Sequence, residues 1–309
     1  QPVDRPLKGV IVTVDGREQD LRAVTDADGN FKLTPVPAGR FFVHIDGRTA
    51  EGSLYPDGAY RPRVGKAWDA VAGRQDNPAG GTGVIYLPWI PADALRTVSV
   101  TEATEVSFPA SVLAEHPSLA GARITVPANA LYSDAGSRGG RVGLAVVPPD
   151  RLPGPLPDGL SLPMVFTVQT DGADNFDQPA PVCLPNVPGV VDGAPLPVGA
   201  RRSLVSFDHK KGVWESVGSM RVSEDGRFLC TVPGAGILQP GWHGAGPAPF
   251  VGPAGGDAFG DGLGNAVAGA LGDGDGVVDG TFPEHSGGSL GGGSTPGAGV
   301  GPGDRKSVV

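Results

Sequence analysis

Cysteine and methionine occur only twice each in the 309 residues, and aromatic side chains make up 6% of them. So few cysteines exclude a disulfide-dense scaffold. Neither Cys183 nor Cys230 has a second Cys or a His two to four residues away, which excludes the close ligand pairs of structural zinc sites. No Lys/Arg cluster is longer than a pair such as Arg201-Arg202 or Lys210-Lys211, and the net charge is −9. A chain of that balance is not a nucleic-acid binder. No apolar run approaches the roughly 20 residues that span a bilayer, so no membrane span is expected within these residues. A sustained helical period is missing too. Its one short exception, Ala110–Glu115, is closed by Pro117 and reads as a connector.

Glycine (51) and proline (32) are abundant, about a quarter of the chain, and their distribution is uneven. From Gly244 to Val309 the composition is mostly Gly, Ala, Ser, Asp and Pro, as in a flexible linker. Before that point, runs of four to eight β-branched and aromatic residues recur between turn formers. They include 10–14, 41–45, 84–87, 123–126, 142–147, 165–170 and 202–207. The fold expected is all-β. Val10, Val12 and Val14 alternate with Ile11, Thr13 and Asp15, the pattern of a strand with one face buried and the other half covered.

In the segment Thr25-Asp-Ala-Asp-Gly-Asn-Phe31, Asp26 can bond its own following backbone and Gly29 can take positive φ, which predicts a tight turn with Phe31 returning as a strand residue. Thr25, Asp26, Gly29, Phe31 and Leu33, then Pro37 and Gly39, then Val43, Ile45 and Gly47 form a pattern that resembles the carboxypeptidase regulatory-like family of small prealbumin-like β-sandwiches. The segment 48–82 is longer than that family's usual turns and reads as an insertion.

Further on, Ile124-Thr-Val-Pro-Ala-Asn-Ala-Leu131 and the run from Asp171 through Phe176 to Pro181-Val-Cys-Leu-Pro185 resemble a ZU5-type domain. Asn129 stands where that family has glycine, and both residues reach the left-handed conformation such a turn needs. Residues 201–232 resemble the sandwich segment that often follows ZU5, read as strand, turn, strand, strand, turn, strand. The resemblances cover residues 6–47 and 120–235. They imply two β-sandwiches in tandem, an Ig/prealbumin-like domain at 1–94 and a ZU5-like domain at 95–243, followed by a disordered Gly-rich tail at 244–309. By analogy with the N-terminal parts of large bacterial surface proteins, including some that precede RHS-type repeats, they also imply a non-catalytic structural or adhesion module, with a carbohydrate- or calcium-binding module attached to an extracellular enzyme as the alternative. It would be a secreted or cell-surface monomer, with downstream domains of the same polypeptide, other surface proteins or glycans as partners. The start at Gln1 without a leader and the stop at Val309 fit a processed or excised piece. In that setting Cys183 and Cys230, each on a strand, read either as a disulfide or as two buried free thiols.

No catalytic residue, cofactor site or metal site is assigned. The one G-x-S-x-G string, Gly287–Gly291 beside His285, sits in linker that cannot hold a nucleophile elbow. Neither Trp242-His243-Gly244 nor Glu284-His285-Ser286 supplies the His-Phe-Ser type sequence at which some ZU5 proteins cut themselves. The five histidines, at 44, 116, 209, 243 and 285, are isolated in sequence, and His44 is expected to face solvent. Asp273, Asp275 and Asp279 match calcium-loop positions around Gly276. Leu271 and Phe282 occupy two positions where oxygens are essential, so a solvated acidic linker is the reading, with a weak calcium site as its alternative. Trp68, Trp89, Trp214 and Trp242 are expected as core or junction anchors; burial of Trp68 and Trp89 would count against a sugar platform.

Overall fold

A computed structural model describes residues 5–51, 61–74, 84–133, 135–171 and 175–248, which fall in one compact unit. The sequence candidates at 249–309, namely most of the Gly-rich tail, His285, Gly287–Gly291 and Asp273, Asp275 and Asp279, lie outside the described residues. The architecture is all-β. No helix among the described residues is long and apolar enough to cross a membrane.

The first sheet is antiparallel with order β2-β1-β3-β4, from β1 (Ile11–Val14), β2 (Arg22–Val24), β3 (Gly39–Asp46) and β4 (Arg63–Ala70). Val12 pairs with Ile45 and Val14 with Val43, while Ile45 pairs with Val64. One face is therefore apolar across three strands, as the 10–14 alternation predicts. The turn at 26–30 also forms as expected: the Asp26 carboxylate accepts the Asp28 and Asn30 amides at 2.9 Å, and Gly29 has φ +72°. Three expectations for this region change. Phe31 is not a strand residue, because Pro35 and Pro37 deprive the following segment of ladder donors; it stacks on Trp68 instead. Residues 63–70, assigned to an insertion, are β4 and complete the sheet. Residues 84–87 make only an isolated bridge at Val84, and Pro88 follows directly.

The second sheet has ten strands in the order β5-β9-β10-β16-β13-β14-β15-β12-β7-β6. They are β5 (Arg96–Val98), β6 (Thr104–Ser107), β7 (Arg123–Val126), β9 (Gly140–Val147), β10 (Val165–Thr170), β12 (Val182–Pro185), β13 (Arg201–Asp208), β14 (Val213–Val222), β15 (Phe228–Thr231) and β16 (Gly241–Gly246). A short ribbon pairs β8 (Leu131–Tyr132) with β11 (Asn175–Phe176). The helix α1 (Ala110–Glu115) lies where expected. Edge strand β6 comes back against β9, so the sheet curls around an inner core that includes Ile124, Leu144, Phe166, Leu204, Met220 and Leu229. Asn129 has φ +60°, the single positive φ outside glycine among the described residues, the left-handed conformation expected of it. The boundary expected at 243/244 cuts through β16, whose six residues are all buried.

The segment 201–232 folds as three strands rather than four. Where two strands were expected in its middle, β14 runs for ten residues with a bulge. Leu204 faces Gly218 and Val205 faces Ser216, which leaves Val217 unpaired and 45% exposed. One extra residue reverses the pleat. Trp214 thus points to the outer face while Met220 and Val222 point inward. On the neighbouring pair Cys183 lies directly opposite Cys230, and the two are joined in a disulfide, which resolves the two readings of the cysteines.

The apolar face of the small sheet lies on the outer face of the large one. Val12, Val14, Val43 and Ile45 share a single core with Val147, Val165, Phe207, Trp214 and Trp242. A main-chain bond adds to it, the Ala67 amide donating to the His209 carbonyl at 3.0 Å, and on the large-sheet side the Trp214 indole N–H donates to the Gly154 carbonyl at 3.2 Å.

Candidate ligand cleft

The shared core is incomplete along one margin. The segment 84–89, the loop 148–163 and α1 surround a cavity of about 920 Å³ over Val147, Val165 and Trp242. A second cavity of about 620 Å³ adjoins it and shares Tyr86, Leu152, Leu156 and Trp242. Sequence explains why the margin stays open. Pro88 and Pro91 on one wall, and Pro148, Pro149, Pro153, Pro155, Pro157 and Pro163 on the other, cannot donate to a ladder, so neither wall extends a sheet to close the gap. The volume falls within the range of small-molecule sites, roughly 300 to 1,000 Å³.

The lining is mainly aliphatic and aromatic, with Arg5, Arg61, Arg151, Glu115 and His116 at its polar points. The Arg151 guanidinium stacks over Tyr86 at 5.6 Å, and Arg61 donates to the Leu87 carbonyl at 3.2 Å. In the adjoining cavity Lys66 donates to the Pro153 carbonyl at 3.2 Å, and burial lowers its pKa.

The histidines that the sequence scatters have distinct places. His116 caps α1 and lines the cleft. His209 packs against Phe207 and Trp242, with Nδ1 2.6 Å from the Gly65 carbonyl oxygen; burial pushes its pKa down to about 4, and the carbonyl offsets part of that. His243 lies on the opposite face of β16 beside Phe166, with Nδ1 2.7 Å from Ser206 Oγ. Burial, with the neighbouring His209 adding to it, pushes its pKa down to about 3. Both rings are therefore neutral at neutral pH. The Ser206–His243 contact is a hydroxyl beside a base, but it is not among the groups that line either cavity.

His44, expected to face solvent, is half-buried and holds Asp15 Oδ1 at 2.8 Å. With Glu18 these groups offer three ligand atoms within 4.8 Å of one another, a set that can hold a divalent ion. Sequence reasoning missed the trio because residues 15, 18 and 44 are joined only by register: Thr13 pairs with His44, which brings β3 beside the β1–β2 turn. Of the tryptophans, Trp214 and Trp242 are buried, Trp68 is half-buried between Phe31 and Phe41, and Trp89 is half-buried in the cleft wall. The cleft itself carried no motif; its only sequence signal was the proline spacing on both sides.

Comparison with protein-family models, with curated proteins and with solved structures returned no match.

Proposed function

We propose that this chain is a non-catalytic structural and contact module of a larger secreted or cell-surface protein, of the carboxypeptidase regulatory-like plus ZU5-like kind. The observation that carries the reading is the cross-strand Cys183–Cys230 disulfide on the large sheet. A bond of this kind persists in oxidising compartments and is rare in cytosolic proteins. It closes a loop of 47 residues around β13 and β14, the strands whose outer face supports the small sheet. In the chain-entropy account a loop of that length contributes about 4 kcal/mol. The fused core supports the same reading, since two sheets sharing one apolar layer cannot separate without exposing it.

The test has two arms. Thiols are counted on the denatured chain before and after reduction, using protein recovered from its native compartment, and the purified chain is run against panels of ester, peptide and glycoside substrates. None before reduction and two after, with no turnover in any panel, is the outcome expected. Two free thiols throughout would overturn the secreted assignment, and turnover that co-purifies with the folded chain would overturn the non-catalytic one.

A further inference from the structure

We propose that Asp15, Glu18 and His44 form a binding site for one zinc(II) ion on the face of the small sheet turned away from the shared core. Their ligand atoms, one from each side chain, lie within 4.8 Å of one another. Two carboxylate oxygens and an imidazole nitrogen are a zinc donor set, and water fills the fourth position where the protein supplies three ligands. The nitrogen separates zinc from calcium and magnesium, which take oxygen ligands.

The imidazole is held in place by its neighbours on the sheet. Val43 and Ile45 of β3 point into the shared core, so Phe42 and His44 between and beside them point outward. Gly65 faces His44 across the β3–β4 pair, and the Phe42 ring lies over it in space that a side chain at 65 would need. That ring meets the His44 ring at 5.2 Å and 66°, and His44 Nε2 stands 2.8 Å from Asp15 Oδ1. Zinc enters between these two atoms, and the imidazole then keeps its proton on Nδ1.

The carboxylates are held from the main chain. The Asp15 amide donates to the Phe42 carbonyl at 2.9 Å, which fixes the end of β1 against β3. Gly16 has φ +70°, and its amide donates to Glu18 Oε1 at 2.9 Å, which draws that side chain back over the turn. Arg17, the one cation of the segment 15–20, is taken up by Asp20, with Nε 2.8 Å from Oδ2. Among the described residues neither Asp15 nor Glu18 pairs with a lysine or an arginine. Two carboxylates therefore face a single imidazole, and a divalent cation satisfies all three groups together. All three are reached from solvent, Asp15 and Glu18 being exposed and His44 half-buried.

The experiment is a calorimetric titration of the untagged full chain, freed of metal by a chelator, with zinc chloride, alongside NMR spectra of the histidine ring protons. One zinc per chain is expected, with the His44 ring resonances shifting; these are identified by their absence from His44→Gln. His44→Gln, Asp15→Asn and Glu18→Gln are each expected to weaken binding about tenfold or more. If His44→Gln unfolds the chain, Glu18→Gln, a change at an exposed side chain, carries the comparison with Asp15→Asn. Calcium in about hundredfold excess is expected to leave the zinc in place. No saturable zinc binding would overturn the proposal. So would undiminished affinity in the folded variants, which would put the metal elsewhere on the chain, or displacement of zinc by an equal concentration of calcium.

Discussion

The two faces of the ten-stranded sheet are closed in different ways. The inner face is closed largely by the sheet itself: β6 returns to β9, and the enclosed layer is mostly apolar, with the Ser206–His243 contact beside Phe166 as its polar pair. The outer face is closed by a separate, smaller sheet, and that layer contains Thr167, Gln169, His209 and Lys66 as well as the two cavities. A sheet that curls onto itself pairs its own backbone as it buries its side chains. A lid that arrives from another part of the chain covers only its own footprint, and prolines mark where cover ends. Polar and titratable groups are tolerated on the lidded side because main-chain carbonyls, those of Pro153 and Gly154 in a loop and of Gly65 on β4, are at hand to bond them.

That contrast can be broken at several points. Phe166→Ala leaves a cavity in the inner layer and is expected to cost about 4 kcal/mol in urea unfolding. A loss below about 1 kcal/mol would mean that the inner layer is no better packed than the outer. Replacing both Cys183 and Cys230 with serine is expected to cost about 4 kcal/mol, read from the same unfolding curves run without reductant. An unchanged midpoint would remove the staple from the account of stability.

Acid should act through the buried imidazoles. His209 and His243 have folded pKa values of about 4 and about 3, below the ordinary 6.5, so the unfolded chain binds more protons below pH 6.5. The stability they contribute is intact above pH 6.5 and is lost as pH falls toward 4 and 3. Unfolding free energies at pH 7 and pH 4.5 should differ by about 2.5 kcal/mol for each ring, and His209→Gln should remove its share of the difference. A flat profile between those values would show that the rings reach water. The smallest effect is expected from Lys66→Met, which replaces a partly buried ammonium by an apolar chain of similar length and should raise stability by about 1 kcal/mol. A loss would show that the Pro153 contact outweighs desolvation.

Much of the large sheet was legible because its strands carry period-2 or continuous apolar runs bounded by Gly and Pro; β7, β10 and most of β9 and β13 lie where those runs lie. The left-handed Asn129 and the Asp26 turn were legible because a single side chain determines each. β4 was not, since Arg63-Val-Gly-Lys-Ala-Trp-Asp-Ala70 alternates weakly and only its pairing with β3 makes it a strand. The bulge at Val217 was equally invisible: nothing local marks one residue of ten as unpaired, and the need to serve two cores is felt only in the fold.

The sequence by itself determined the all-β character, the turns and which residues are apolar enough to be buried, since these follow from side-chain period and from the conformational limits of Gly, Asn and Pro. The tertiary structure decided that the small sheet and the outer face of the large sheet share one apolar layer across the expected domain boundary and that Cys183 meets Cys230. It also decided that an apolar, arginine-lined cleft stays open beside two proline-rich walls. Those outcomes rest on register and on the area one sheet can cover on another, quantities that no stretch of the chain contains alone.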